Sequence, residues 1–505
     1  MSKTAAPIPA FPSSLKTIAG RTTSLLAALA VAASAAAVSA EENTPRAFER
    51  ALRRTVTIEG AESRRFELAA RMEHYRVPGL SVAVIEDCRI VDARGFGSLI
   101  WGGAPVTPET RFQAGSISKS LTAIAALRLV ERGTLSLDGD VQLQMKGWSY
   151  DKARGPVTLR QLLSHTAGTN LEGMKGYLPG EPRPTLAQVL RGEAPANTPA
   201  IVVESEPGSR WNYSGGGYIV TQALMDEATG KNFAPLMREL VLEPLAMARS
   251  SFEQPPSDGD GTRSAQGTSA DGSPLPGKWR VYPEMAPAGL WSTPSDLGRF
   301  AIGLARSVRG ETDAIIGKDA TAQLMTRGPG NWGVGVDLGP ADGARQISHT
   351  GKNVGFTSMF IIYPDSCQGA VVMTNGYDGG WLINEVMRAI GDVYRWPARN
   401  TLPARNTLPA RAALPLTASI AERFVGIYRL RDFPAERFSI TRDSDGELIW
   451  ARGGHVGRSL LPEAEGKLFS PDSVMTIEAL SPSELRASAV KLSFGGGSNI
   501  AERMD

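Results

Sequence analysis

The sequence predicts an α+β fold followed by a small all-β domain, and three observations carry that expectation. Apolar, β-branched runs stand near both ends of residues 41–396, helical patterns fill the middle, and residues 417–505 alternate short β-like runs with turns. Strands at both ends with helices between them point to one sheet assembled from the two ends of a domain.

Each element has its own signal. Glu42 to Arg76 is charged and reads as helical. Gly79 to Ile85 (GLSVAVI), a turn at Glu86-Asp87 and a second run from Arg89 form a hairpin. From Ser116 to Arg132 the residues are apolar almost all round, which marks a helix buried inside a domain, and Gly133 is placed to end it. Thr158 to Ser164 reads as a short helix capped by Thr158, and Ser292 to Leu304 as another opened by Thr293-Pro294-Ser295-Asp296. Gln254 to Lys278, a mixture of Pro, Gly, Ser and Asp, has little to bury and reads as a surface loop. Gln346 to Gly351, Thr357 to Tyr363 and Ala370 to Thr374 are three strands joined by tight turns.

Residues 397–416 contain a proline-spaced hexapeptide repeat, with prolines at Pro397, Pro403 and Pro409. Proline at that spacing breaks helices and cannot donate to a ladder, so the segment is an extended linker. Beyond it, Phe424 to Leu430, Phe438 to Arg442, Leu448 to Ala451, Val474 to Leu480 and Ala489 to Phe494 suit a small barrel or sandwich.

The 505 residues are 42% hydrophobic and 21% charged with a net charge of +2, values of a globular chain without the basic face that nucleic acid demands. Residues 1–40 have the form of an export signal: Lys16 and Arg21, an apolar stretch from Leu25 to Val38, then the small residues Val38-Ser39-Ala40. The apolar stretch is short for a membrane span, so cleavage, a periplasmic or secreted location and no remaining transmembrane segment are expected. The two cysteines, Cys88 and Cys367, form no CxxC pair, and the four histidines have no metal-ligand spacing. No metal site is expected.

A serine hydroxyl is a weak nucleophile until a base takes its proton. A lysine three residues on, in a helix, stands on the same face one turn away. Four S-x-x-K matches occur, starting at Ser13, Ser116, Ser149 and Ser488. Ser13 lies in the export signal, Ser149 in a polar turn-like stretch, and Ser488 in a strand-like stretch, where residues three apart face opposite ways. Ser116 alone opens a buried helix, where the helix dipole favours developing negative charge and an apolar setting lowers the charge on Lys119. The pair's bland alternative is a helix cap with a solvated lysine.

The segment FQAGSISK from Phe112 to Lys119 resembles the nucleophile segment of the serine β-lactamase and penicillin-binding-protein superfamily. LRQLLSHTAG (Leu159 to Gly168), PGSRWNYSGGGY (Pro207 to Tyr218) and His349-Thr350-Gly351 with Gly355-Phe356 resemble further landmarks of its class C β-lactamase, DD-peptidase and esterase branch, in the same order. The resemblance implies an antiparallel sheet packed with helices beside an all-helical region. It also implies an acyl-enzyme on Ser116, proton transfer by Lys119 and Tyr213, and an oxyanion hole from the backbone N–H groups of Ser116 and Lys352. His349, Thr350, Gly351 and Gly215 would border the substrate, while His165 ties the local backbone and stays outside the site. The family's first strand lies beside its last, which would bring Cys88 and Cys367 together as a disulfide; two separate buried thiols are the alternative. The C-terminal domain resembles the lipocalin-like domains appended to some members.

Two departures stand out. Many members carry Y-x-N, whose asparagine grips a substrate amide, and here Gly215 takes that place; His349 replaces the lysine of the KTG strand. The missing amide grip weakens selection for penicillin-like or peptide substrates, and His349 attracts a substrate carboxylate less near neutral pH, although Lys352 is close enough in sequence to compensate. No cofactor is implied, since there is no P-loop, dinucleotide fingerprint or G-x-S-x-G elbow. The expected partner is a small-molecule or peptide acyl substrate: a β-lactam, a D-alanyl peptide, a D-amino acid amide or an ester. The competing reading is a non-catalytic penicillin-binding or regulatory protein on the same fold; the oligomeric state is left open.

Overall fold

A computed structural model describes residues 47–505 apart from 63, 255–263, 342, 398–409, 482–483 and 495–496. The expected export signal and most of the proline-spaced linker lie outside the described residues.

The architecture is a mixed α+β sandwich followed by a closed eight-stranded barrel. After helix α1 (Leu68–His74) come strands β1 (Gly79–Glu86) and β2 (Arg89–Gly97), then the buried helix α2 (Ile117–Glu131). Helices α3 (Leu159–Leu163), α4 (Gly216–Thr229) and α5 (Pro294–Arg309) lead to strands β3 (Ile347–Asn353), β4 (Phe356–Tyr363) and β5 (Gln368–Thr374) and helix α6 (Gly379–Val393). The five strands form one antiparallel sheet in the order β2-β1-β5-β4-β3, so the two ends of the domain meet at β1 and β5.

Burial explains the patterning. β1 is buried on both faces, with Ala83 and Ile85 toward one side and Leu80, Val82 and Val84 toward α6. α2 buries Ile117, Leu121, Ile124 and Leu127 together with the alanines between them, as its all-round apolar sequence requires. The predicted caps form: Thr158 accepts from the Gln161 N–H in a full capping box, and Thr293 accepts from the Asp296 N–H. The turn after β1 and the turn before β5 are joined by a Cys88–Cys367 disulfide with Cα atoms 5.0 Å apart.

Two sequence expectations fail. The described part of Glu42 to Arg76 holds a short turn at Phe48–Arg50 and α1; between them the β-branched run Thr55 to Ile58 docks on the barrel, the Val56 N–H bonding to the Pro471 carbonyl. Tertiary contacts override the local charge pattern there. The described part of Gln254 to Lys278 is no idle loop either. Ala265, Thr268 and Leu275 are buried, and Thr268 donates to the Asn375 carbonyl.

Helix α7 (Ala418–Phe424) precedes the barrel. Its strands are β6 (Gly426–Leu430), β7 (Arg437–Arg442), β8 (Leu448–Ala451), β9 (Arg458–Ala464), β10 (Lys467–Phe469), β11 (Thr476–Ala479), β12 (Ala489–Phe494) and β13 (Gly497–Arg503). Sequence patterning missed β9, β10 and β13. Inward residues such as Tyr428, Ile440, Leu448, Leu468 and Ile477 fill the interior, as expected at this strand number. The barrel is fixed to the sandwich by polar contacts. Arg71 pairs with Glu385 at 2.6 Å and with Asp472 at 3.5 Å, and Asp378 receives His455 Nδ1 at 2.8 Å and the Val456 N–H at 3.1 Å.

Candidate active site

Ser116 stands where the chain turns into α2. Gly115 holds φ +53°, and a Cβ there would fall 2.6 Å from the backbone nitrogen of Lys352, so only glycine lets the turn approach β3 this closely. The carbonyls of Ala114, Gly115 and Ser116 accept the N–H groups of Ile117, Ser118 and Lys119, which closes the first turn. Lys119 is 1% exposed, and its Nζ lies 3.0 Å from Ser116 Oγ and 3.1 Å from the Pro287 carbonyl oxygen. Burial pushes its pKa down to about 7, against a weak opposing pull from Glu172.

Tyr213 arrives from the segment before α4. Lys119 Nζ lies 5.0 Å from its ring centre, and the Ser116 side chain is near enough to its phenol to influence its acidity. Burial raises the phenol's pKa well above its ordinary value; the Ser116 side chain offsets only part of this. The hydroxyl therefore keeps its proton at neutral pH.

His165 builds the wall behind that ring. Its Nδ1 accepts the Ser214 N–H at 3.1 Å, which ties the Tyr213 segment to the turn after α3, and its ring packs on Tyr213 at 4.3 Å between centres. Sequence reasoning saw the backbone tie and missed the ring contact. Trp332, 5.8 Å from Tyr213 and 5.2 Å from His349, was missed as well; it lies outside every motif. The Pro287 carbonyl and Glu172 carried no signal either, because neither a main-chain oxygen nor a lone surface carboxylate has a sequence pattern.

β3 is the edge of the sheet beside Ser116. Ser348 exchanges backbone bonds with Asp337, on the side away from β4. Antiparallel strands alternate these directions, so Thr350 and Lys352 also turn their N–H groups outward, toward the Gly115 turn in the case of Lys352. Gly351 packs on the Ala114 carbonyl. Thr350 and Lys352 are exposed at the edge, whereas His349 is 3% exposed. Its pKa is pushed down to about 3 by burial and by Lys119, so the ring is neutral. Gly215 opens α4, and its N–H bonds to the Leu171 carbonyl at 2.7 Å. A Cβ there would fall 2.9 Å from Met174 Sδ and 3.1 Å from the Glu172 carbonyl oxygen, so the segment 171–174 fills the room a side chain would need.

The geometry thus gathers Ser116, Lys119, Tyr213, Gly351 and Lys352 at one helix entrance. Among the described residues no group of His, Cys, Asp and Glu could hold a metal ion, and no helix is long and apolar enough to cross a membrane.

Comparison with known proteins identifies the class to which this fold belongs. A profile of the family described as Beta-lactamase matches residues 67–390, and the chain belongs to that family. Penicillin-binding protein 4 of Amycolatopsis lactamdurans is 28% identical over 330 residues, 61% of this chain and 83% of that protein. Esterase EstB of Burkholderia gladioli is 30% identical over 159 residues, 30% of this chain and 40% of that protein. The octameric penicillin-binding protein homologue from Pyrococcus abyssi shares the fold at a TM-score of 0.56 and 22% identity, over 86% of this chain and 98% of that one.

Proposed function

We propose that the protein is an exported serine hydrolase that works through an acyl-enzyme on Ser116, with carboxyl esters as its best-suited substrates. The observation that carries this is a buried, uncharged-capable amine 3.0 Å from a serine hydroxyl at a helix entrance. Near pH 7 a large share of Lys119 is the free amine, which takes the Ser116 proton as Oγ attacks the carbonyl carbon. The N–H groups of Ser116 and Lys352 stabilise the resulting oxyanion, at roughly 3 kcal/mol of barrier each. The leaving-group bond then breaks while a proton returns from Lys119 through the Tyr213 hydroxyl to the leaving oxygen. Water repeats the sequence on the acyl group and frees Ser116. Tyr213 acts as relay and donor, since burial disfavours its phenolate.

Substrate preference follows from the two departures. With Gly215 crowded by segment 171–174 there is no side-chain amide to grip a peptide or β-lactam, and neutral His349 offers no fixed charge to a carboxylate. Esters lose least from either change. The export signal and the Cys88–Cys367 bond fit a periplasmic or secreted enzyme. Mature protein beginning at Glu41, read by mass spectrometry, is the expected outcome. The barrel is taken as a lipocalin-like appended domain whose interior is filled, so it supports the enzyme and does not carry a ligand inside.

The test is labelling by an activated ester and by a fluorescent penicillin, with hydrolysis of both followed in wild type and Ser116→Ala. A Ser116-dependent adduct and at least a 10⁴-fold loss of turnover in the variant are expected. No adduct and no hydrolysis in wild type would leave the non-catalytic binding reading standing.

A further inference from the structure

The barrel does more than lean on the sandwich. A cavity of about 500 Å³ lies between the edge of β3, the beginning of α6 and Phe494 at the end of β12. We propose that this cavity receives an aromatic or branched apolar group of the acyl substrate, and that Phe494 of the barrel sets the preference for it. The inference rests on the acyl-transfer reading of Ser116.

Lys352 ties the cavity to the reaction centre. Ser358 donates to the Ala114 carbonyl on the α2 side of the sheet, whereas Met359 packs into the apolar cluster of α6. Thr350 pairs with Met359 and Lys352 with Thr357, so both side chains face α6. Lys352 therefore presents its N–H beside the Gly115 turn and its side chain to the cavity. One edge strand is all that divides the oxyanion position from the cavity, and a substituent on the substrate reaches it by lapping over that edge.

The lining suits an apolar group with a polar neighbour. Met359, Trp381, Ile383 and Phe494 supply the apolar surface, and Lys352 and Asn384 stand beside them. A volume of this size accepts a ring and its linker. The wall is also held in place. Trp381 carries the Arg458 guanidinium 3.5 Å from its ring centre and meets Phe494 edge-on at 5.8 Å. Beside it, Asp378 anchors the barrel through His455 and Val456. Phe494 nevertheless remains 47% exposed, an apolar surface directed at a cavity and not at the barrel core.

The experiment measures kcat/KM for methyl acetate, methyl phenylacetate and benzyl acetate in wild type, Phe494→Ala and the control Phe433→Ala, another exposed barrel aromatic. The ratio of one aromatic ester to methyl acetate should fall about tenfold in Phe494→Ala and hold in the control. Which ester responds tells whether the acyl or the leaving side enters the cavity. An unchanged ratio, or an equal fall in the control, overturns the proposal. Titration calorimetry of Ser116→Ala with methyl phenylacetate and benzyl acetate, with and without Phe494→Ala, separates the two readings. Binding that depends on Phe494 in a wild type without turnover keeps the cavity and removes the acyl-transfer reading; Ser116-dependent turnover without Phe494-dependent selectivity or binding does the reverse.

Discussion

Two groups of buried ionisable side chains lie on opposite sides of the sheet and end in opposite states. Beside Ser116, Lys119 is held among Tyr213, Tyr218 and the Pro287 carbonyl, with the nearest acidic influence coming from exposed Glu172. On the α6 side, Arg71 is 5% exposed but bonds twice to Glu385, meets Asp472 at 3.5 Å and touches the Tyr75 hydroxyl. Burial works against the charge in both. At Lys119 it prevails and the pKa drops to about 7; at Arg71 burial is again the largest single influence, but the Glu385 bond together with the charges of Tyr75, Glu385 and Asp472 outweighs it and the guanidinium is held above its ordinary value. Burial without a counter-ion makes a base, and burial with one makes a brace.

The largest expected effect breaks the first half of that contrast. Lys119→Met should lower kcat/KM about 10³-fold, since it removes the only buried amine beside Ser116 among the described residues. The same change should stabilise the fold by about 2 kcal/mol near neutral pH, because an apolar side chain has no charge to desolvate. The sign follows from linkage. The folded pKa of about 7 lies below the ordinary lysine value of 10.5, so across that window the unfolded chain holds a proton the folded chain has shed. Wild-type stability rises with pH there, and the variant's advantage is full below about pH 7 and gone above roughly pH 10.5. Urea melts at pH 6.5 and 10 would measure it, and a variant less stable than wild type at both would contradict the account.

The brace responds in the opposite sense. Glu385→Ala leaves Arg71 buried beside one longer contact and should cost about 3 to 5 kcal/mol with kcat unchanged. Arg71→Met combined with Glu385→Leu should regain most of that loss. Equal damage in single and double variants would mean the pair stabilises outright.

The pH profile of kcat/KM sharpens the comparison further. The proposed mechanism requires the free amine, so activity should fall tenfold per unit below about pH 7 and level off above it. Glu172→Gln removes the attraction that raises the lysine and should move this limb to lower pH by a few tenths. A limb near the ordinary lysine range would show that Lys119 is not desolvated.

What the sequence revealed, and what it hid, divides along the range of the interactions. Ser116 and Lys119 are one helical turn apart, the caps at Thr158 and Thr293 reach only three residues on, and the hairpins close over tight turns, so all were legible locally. The ring of His165 on Tyr213 joins residues 48 apart through packing alone. Segment 264–278 looked unburied because its polar composition gives no sign that the sandwich covers Ala265 and Leu275. In the barrel, β10 has three residues, β9 contains Pro462, and β13 opens with Gly-Ser-Asn, so closure and not propensity makes them strands.

The smallest expected effect concerns Gly215, where the chain departs from the family's Y-x-N. If the amide grip were merely missing, Gly215→Asn would supply it. The geometry argues otherwise: the new Cβ would press on Met174 Sδ at 2.9 Å and on two main-chain oxygens, of Glu172 at 3.1 Å and Leu171 at 3.4 Å. A thioether can swing aside, but the carbonyls belong to a segment pinned by the N–H groups of Gly215 and Gly216 to Leu171. Gly215→Asn should therefore cost about 1 to 2 kcal/mol through overpacking, with no gain in penicillin turnover. Adding Met174→Ala opens the thioether side and should return part of the stability. Only then should the ratio of amide to ester hydrolysis rise, by about tenfold or less. A single Gly215→Asn variant that gains amidase activity at unchanged stability would show that segment 171–174 yields, and that the proposed preference for esters is written in the missing side chain alone.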